Sequence, residues 1–137
     1  MPIDLTPFAE AINSALAEGT FCVLATSGEQ GPDIGFKGSI QVFDEDHLCD
    51  WERTPGGHLA NLRSDPRVAV LYFSRERGKY LRIYGRAELQ EDDTTREQIM
   101  ARTPAPELEK DPERQGIGVL IRVDRLVEPF GGVSQKR

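Results

Sequence analysis

Apolar and polar positions alternate along the chain with two different periods, one helical and one of two residues. Apolar residues at helical spacing follow Thr6-Pro7, a typical helix N-cap and first position, and continue up to Gly19. A second helix is predicted to open at Thr54-Pro55 and to stop before Asp65-Pro66, and a third to cover residues 93–102. The pattern therefore predicts helices at the start, in the middle and before the last strand.

Six short segments have the character of strands. Residues 21–26 and 67–74 are apolar on both faces, which is typical of central strands, and a short strand ends near Trp51. The remaining strands are predicted over residues 33–43, 79–90 and 116–127.

The alternation predicts which side of two strands faces the core. In residues 33–43 we expect one apolar face and one polar face. In residues 79–90 the face opposite the core is aromatic and cationic. In residues 33–43 the side chains predicted to point inward are Ile34, Phe36, Ile40 and Val42, opposite Asp33, Lys37, Ser39 and Gln41. In residues 79–90 they are Leu81, Ile83, Ala87 and Leu89, opposite Tyr80, Arg82, Tyr84, Arg86 and Glu88.

Six strands joined by hairpins predict a mainly β fold, an antiparallel barrel with flanking helices, because closure removes exposed sheet edges. The 137 residues are enough for one domain, which we expect to span residues 1–137 with a mobile tail over 131–137. The polar strand faces are equally typical of solvated surfaces and of binding surfaces.

Bulk properties exclude several classes of protein. A net charge of −6 argues against a nucleic-acid partner, and no apolar run reaches the roughly 20 residues of a membrane span. The N-terminal residues do not resemble a secretory signal, so we expect the protein in the cytoplasm. Cys22 and Cys49 lie in apolar surroundings and are interpreted as buried small hydrophobes.

The segment from Arg53 to His58 carries the strongest chemical signal. Free N–H groups and two glycines at a helix N-terminus are typical of an anion site, and Arg53 could supply a countercharge. The same residues are equally typical of a plain capped turn. His58 is either an anion ligand or a surface residue, while His47 lies in an acidic turn, and no metal site can be assembled from the two.

Several segments together resemble one family. The chain carries Val23-Leu24-Ala25-Thr26 before a Gly-Pro turn, then Lys37-Gly38-Ser39, and then Trp51-Glu52-Arg53-Thr54 leading into His58-Leu59-Ala60-Asn61-Leu62. Ser64-Asp65-Pro66-Arg67-Val68 precedes a buried strand, and Leu81-Arg82-Ile83-Tyr84-Gly85 forms a later one. From Phe8 to Val127 this order resembles the pyridoxamine 5'-phosphate oxidase-like family of FMN-binding split barrels.

The resemblance implies a homodimer that holds FMN in a groove between two subunits, with a small-molecule substrate. It implies that Lys37, Ser39, Arg53 and Thr54 bind the phosphate and ribityl chain, and that Trp51 and Glu52 lie along the flavin. Tyr80 and Arg82 would reach the cofactor of the other subunit. The complete set of implied cofactor-binding residues is Lys37, Gly38, Ser39, Trp51, Glu52, Arg53, Thr54, Gly57, His58, Tyr80 and Arg82.

Two departures argue against pyridoxamine 5'-phosphate as the substrate. Gly56-Gly57-His58 stands where true oxidases carry an adjacent Arg-Lys pair, and their C-terminal substrate-binding segment has no counterpart here. The sequence therefore favours an FMN-dependent oxidoreductase with another substrate, in which the cofactor carries the redox chemistry. A deazaflavin coenzyme, haem as the last choice, and a flavin-holding module without turnover are the alternatives.

Overall fold

The computed structural model describes residues 2–29, 31–53 and 57–137. A 3₁₀ turn, Thr6–Phe8, precedes the first of four α-helices in this part of the chain. The helices are α1 Ala9–Asn13, α2 Gly57–Ser64, α3 Asp93–Arg102 and α4 Ala105–Glu109, and the strands are β1 Cys22–Thr26, β2 Asp33–Lys37, β3 Gln41–Val42, β4 His47–Glu52, β5 Arg67–Ser74, β6 Lys79–Gln90, β7 Ile117–Glu128 and β8 Val133–Lys136.

All strands of the described chain join one antiparallel sheet in the order β2-β1-β5-β6-β7-β4-β3, with β8 added beside β7. The sheet curls into a half-barrel flanked by helices, which confirms the predicted mainly β split barrel. The central position predicted for β5 is also confirmed, because this strand pairs with β1 on one side and β6 on the other.

The inward positions of the long strands form the main core, because alternate side chains of a strand point to one face. β1 contributes Leu24, β5 contributes Tyr72, and β6 and β7 contribute Leu81 and Ile121. A smaller core of Cys49, Trp51 and Ile99 lies where α3 packs on β4 and β7. Both cysteines are unpaired and buried, Cys22 in the main core and Cys49 in the smaller one, as the sequence predicted.

The prediction of one continuous strand over residues 33–43 is wrong. β2 pairs with β1, whereas β3 pairs with β4, so the chain has to break between two different neighbours. The predicted inward side is wrong for β2 as well, because Ile34 is 71% and Phe36 75% exposed. Their cross-strand partners Ala25 and Val23 share that outward side.

The first helix is shorter than predicted, and the C-terminal tail carries a strand. α1 ends at Asn13 and gives way to turns, and Thr6 lies inside the 3₁₀ turn, for which Leu5 is the N-cap. The tail predicted to be mobile contains β8, where Gln135 is buried and its side-chain oxygen accepts a hydrogen bond from the Asp4 backbone N–H at 2.9 Å.

The sheet has eight strands in the described chain rather than six, because residues 33–43 supply two strands and the tail supplies another. α4 follows Pro104, which is its N-cap. The third helix covers residues 93–102 as predicted, and the Asp92 side chain caps it. Each helix within the described residues falls short of the length and apolar character that a bilayer crossing requires.

Asp111 anchors the smaller core, and its removal should destabilise the fold. Its buried carboxylate accepts bonds from the Trp51 indole N–H at 3.0 Å and from two backbone N–H groups, of Gln115 at 2.9 Å and Gly116 at 2.8 Å. Asp111→Ala leaves these donors unpaired, so we expect the free energy of unfolding to fall by about 2 to 4 kcal/mol in urea denaturation.

Glu113→Ala is the matched control, because the same substitution two residues away removes an exposed carboxylate. It should change the unfolding free energy by no more than about 0.5 kcal/mol. An equal effect of the two substitutions would contradict the role given to Asp111.

Candidate functional site

The inner side of β2 is polar, and this places a cluster of charged groups at the edge of the sheet. Residues directly opposite one another on paired strands share a face, and Lys37 lies opposite the buried Cys22. By the same register Gly35 lies opposite Leu24 and Asp33 opposite Thr26. Within the described pairings β2 has only β1 as a neighbour, so its inner side is reached from the end of β4 and from α2.

Lys37 forms a close ion pair with Glu52 at the end of β4. Its Nζ donates to both carboxylate oxygens, at 2.6 and 2.8 Å. The lysine side chain is 17% exposed and the glutamate side chain 5%. Both charges are largely removed from water, so each depends on the other for stabilisation.

Asp50 lies beside this pair, because positions 50 and 52 of one strand point to the same face. It accepts a hydrogen bond from the Ser39 hydroxyl through Oδ1. Ser39 is itself buried, and its Oγ lies 3.2 Å from both the backbone oxygen and the backbone nitrogen of Trp51. Asp50 is 1% exposed, and its Oδ2 has no hydrogen-bond partner among the described residues.

The crowding of acids changes the protonation of Glu52. Burial, the largest cause, and the neighbouring Asp50 charge raise the pKa of Glu52 to about 7, against the lowering effect of Lys37. Near neutral pH the Glu52 carboxyl group is therefore partly protonated. Such a group can accept or deliver a proton at the wall of the cleft.

A third acid, Glu107 of α4, closes the cluster from the other side. A Cβ on Gly38 would lie 2.8 Å from the Glu107 carboxyl carbon, so only glycine lets this side chain approach β2 so closely. Glu107 is 7% exposed and pairs with Lys110 at 3.1 Å. The resulting cleft of about 110 Å³ is lined by Phe36, Lys37, Gly38, Ser39, Trp51, Glu52, Arg53 and Glu107.

His58 of α2 forms a second polar group next to β1 and β2. Its Nδ1 lies 2.8 Å from the Thr26 hydroxyl and 3.7 Å from an Asp33 carboxylate oxygen. Asn61 donates to the same hydroxyl at 3.3 Å. The Thr26 hydroxyl therefore links α2 to β1 through two side chains.

The Nε2 atom of His58 is buried and finds no hydrogen-bond partner in the described chain. It faces Gly35, where an added Cβ would lie 3.2 Å away. Burial, the largest cause, and the positive charge of Lys37 lower the pKa of His58, so the neutral ring is favoured at pH 7. The ring thus directs its Nε2 atom toward the inner side of β2.

The structure brings together only part of the site expected from the sequence. Lys37, Gly38, Ser39, Glu52 and Arg53 line one cleft, with Arg53 exposed. Trp51 also lines this cleft, and its indole packs in the smaller core, where it donates to Asp111. Its expected position along a cofactor stays a prediction.

The other predicted residues lie elsewhere. Tyr80 and Arg82 lie opposite Phe73 and Leu71 on the outward side of the sheet, away from Lys37 of the same chain. Gly57 begins α2, and Thr54 is outside the described residues.

That outward side carries an exposed apolar surface, which we call the outer apolar face. Phe36 and Ile34 of β2 are its most exposed members, and Phe73 of β5 is 48% exposed. Cross-strand pairing continues the surface over β1 and β5. The outer apolar face consists of Phe21, Val23, Ala25, Ile34, Phe36, Ala69, Leu71 and Phe73.

Sequence reasoning missed four residues of the site. Asp50 could have been found from its i, i+2 spacing to Glu52 on a strand. Thr26 and Asn61 were quoted within motifs but were given no role. Glu107 carries no signal in the sequence, because only the packing of α4 brings it to Gly38.

The cleft and its surroundings carry charges of both signs. Lys37 and Arg53 supply two positive charges to its lining and Glu52 and Glu107 two carboxyl groups, while Asp50 lies beside Glu52 and Lys110 pairs with Glu107. A phosphate beside Lys37 would replace Glu52 or stand next to it. The cysteines offer no nucleophile, since burial raises the pKa of each thiol to about 12.

Comparison with known proteins gives a family and a fold. The sequence model of the family described as pyridoxamine 5'-phosphate oxidase matches residues 8–124. None of the curated proteins matches the sequence.

Three solved structures illustrate the likeness of fold. HupZ of Group A Streptococcus is 22% identical with a TM-score of 0.71, covering 93% of this chain and 95% of that one. General Stress Protein 26 of Bacillus anthracis is 17% identical with a TM-score of 0.71, covering 95% and 98%. An FMN-binding protein of Syntrophomonas wolfei is 10% identical with a TM-score of 0.64, covering 90% and 87%.

Glu52 should make the stability of the protein fall as the pH rises. Its pKa is raised from 4.5 to about 7, so between these values the folded chain binds more protons than the unfolded chain. The free energy of unfolding should drop across this window by up to about 3 kcal/mol, and Glu52→Gln should remove the drop. Urea denaturation at about pH 5 and about pH 8 measures the difference.

Glu88→Gln, the same change at an exposed position of β6, should keep the pH dependence of the unmodified protein. Identical pH profiles for Glu52→Gln and the unmodified protein would show that Glu52 is not held in the predicted state.

Proposed function

Since the chain belongs to the pyridoxamine 5'-phosphate oxidase family, a family of flavin-binding proteins, we propose that it is a flavin-dependent oxidoreductase acting on a small substrate. FMN is the first cofactor to test. A deazaflavin coenzyme is the alternative within the same proposal. We also propose the cytoplasm as its location, as expected from the sequence, since two unpaired buried cysteines need no oxidising compartment.

The proposal rests on one observation, which is that the two sides of β2 have different surfaces. The inner side holds the cleft at Lys37, and the outer side, only one residue along the strand, exposes Phe36. A second copy that covers the outer apolar face would turn this edge of the sheet into the wall of a groove. The proposal is therefore a homodimer whose cofactor groove is completed by both copies.

The roles in the groove follow from the chemistry of each side chain. Lys37, Arg53 and His58 offer donors to the polar parts of a flavin, and Gly38 and Gly57 offer close approach of the backbone. Ser39 supports this wall through its bonds to Asp50 and Trp51. Glu52 completes the wall on this side, and Tyr80 and Arg82 of a second copy would reach it from across the dimer. Thr54, which lies outside the described residues, keeps its proposed role as a cofactor ligand.

A flavin, when bound, supplies the hydride or electron transfer, and the protein supplies placement and protons. The cluster of Lys37, Asp50 and Glu52 can hold a proton near neutral pH at the wall of the cleft. No step of the proposal requires a nucleophile from the chain.

A second candidate function is a flavin-holding dimer without turnover. It is favoured by the fact that these polar groups already have partners inside the fold. Lys37 is paired with Glu52, and Ser39 donates to Asp50 and lies beside the Trp51 backbone oxygen. Anaerobic addition of a nicotinamide donor separates the two functions, because only the oxidoreductase reduces its flavin and passes the electrons to an acceptor.

The first experiment is the absorption spectrum of the protein purified without added cofactor, followed by a titration with FMN. We expect the visible bands of an oxidised flavin, or saturable binding of one flavin per subunit, because the groove shields the ring from water. Free FMN under the same conditions is the control. The absence of binding by FMN, riboflavin and a deazaflavin would contradict the proposal.

The dimer is tested by Phe36→Asp. Phe36 is 75% exposed in a single chain, so the charge should leave the fold intact and prevent a second copy from covering the outer apolar face. We expect a dimer mass for the unmodified protein and a monomer mass for the variant in light scattering, with flavin affinity at least about tenfold weaker.

Thr94→Asp is the matched control, because it adds the same charge at an exposed position of α3. It should leave both the mass and the affinity unchanged. A monomer mass for the unmodified protein across a concentration series would refute the dimer.

A further inference from the structure

Lys37 is already occupied within the fold. Both oxygens of Glu52 bind its ammonium group, at 2.6 and 2.8 Å, and the Glu52 side chain is only 5% exposed. An anionic group of a ligand could bind Lys37 only by displacing this carboxylate or by standing beside it. Displacement would leave Glu52 buried without its partner, and coexistence would place like charges together in a poorly solvated cleft.

Two further acids lie near this pair. Asp50 is 1% exposed and is bonded to Ser39, and Glu107 is 7% exposed and is paired with Lys110 at 3.1 Å. Of the three acids, Glu52 is therefore the one that contacts Lys37 directly. Carboxylate oxygens accept hydrogen bonds from hydroxyl groups and repel phosphate. The Glu52 carboxylate thus offers acceptors to a polyol and opposes a dianion at Lys37.

We propose that Glu52 is the specificity-determining residue of this cleft, which takes a flavin ending in an uncharged hydroxyl group, the riboflavin class, in preference to one ending in a phosphate. The inference rests on the proposed function, because it names which flavin the same site takes. Riboflavin and FMN share the ring and the ribityl chain and differ only in this terminal group. The Glu52 carboxylate would act by repelling the phosphate of FMN, so the preference for riboflavin needs no additional contact with riboflavin.

The charge of Glu52, rather than its shape, carries the discrimination. Without that charge, Lys37 would be free to form a charge-assisted bond with phosphate, whereas its contribution to a hydroxyl group would change little. The neutral amide of Gln preserves the size of the side chain and an acceptor for Lys37. The carboxylate of Asp preserves the charge on a shorter side chain.

The test compares riboflavin and FMN in separate titrations of the full chain, followed by the fluorescence of the flavin itself. At about pH 8 both the phosphate and Glu52 are ionised, and the unmodified protein should bind riboflavin at least about tenfold more tightly than FMN. Glu52→Gln should shift the ratio of the two affinities toward FMN by about tenfold or more.

Glu52→Asp should retain the preference for riboflavin, and Glu88→Gln, the same neutralisation on the exposed side of β6, should match the unmodified protein. If Glu52→Gln does not fold, Glu107→Gln decides in its place, because it neutralises a carboxylate at the opposite wall of the cleft. This variant should also shift the ratio of affinities toward FMN, by a smaller factor.

Equal or tighter binding of FMN by the unmodified protein would overturn the inference, as would an unchanged ratio in Glu52→Gln. In both cases a flavin binds, so the proposed function stands. If neither flavin binds the unmodified protein or any variant, the proposed function itself fails and the inference fails with it.

Discussion

The buried hydrogen bond from Ser39 to Asp50 holds the chain at the point where it leaves one edge of the sheet for the other. β2 pairs with β1 and β3 pairs with β4, so the three residues between β2 and β3 must connect two parts of the half-barrel. The same hydroxyl lies within 3.2 Å of the Trp51 backbone, which ties this crossing to β4. The cleft lies at this crossing, where Lys37 ends β2 and Glu52 ends β4.

The electrostatics of the cleft follow from this crossing. It brings Lys37 to the end of β4, where Asp50 and Glu52 point to one face, and Gly38 admits Glu107 from α4. Burial makes each unpaired charge costly, so the acids are stabilised by Lys37, by hydroxyl and ammonium donors, and by protonation near pH 7. A site of this kind discriminates among ligands by charge before it does so by shape.

The two sides of β2 serve different purposes. The inner side carries alternating Asp33, Gly35 and Lys37 around the polar groups, whereas the outer side carries exposed Ile34 and Phe36. A large exposed apolar surface is unusual on a monomer and is typical of an interface. The proposed groove therefore depends on one edge strand whose alternation serves the site on one side and a second copy on the other.

The sequence by itself determined the mainly β class, the central position of β5, the extent of β6 and α3, and the buried cysteines, because local periodicity and apolar runs report burial directly. It also indicated that Lys37, Ser39 and Glu52 belong to one region. Tertiary structure alone decided that residues 33–43 break into two strands, that Phe36 faces outward, and that the tail contributes β8 beside β7. The physical reason is that the partner of an edge strand, and the charge that meets Lys37, are set by contacts between distant segments, which local periodicity does not encode.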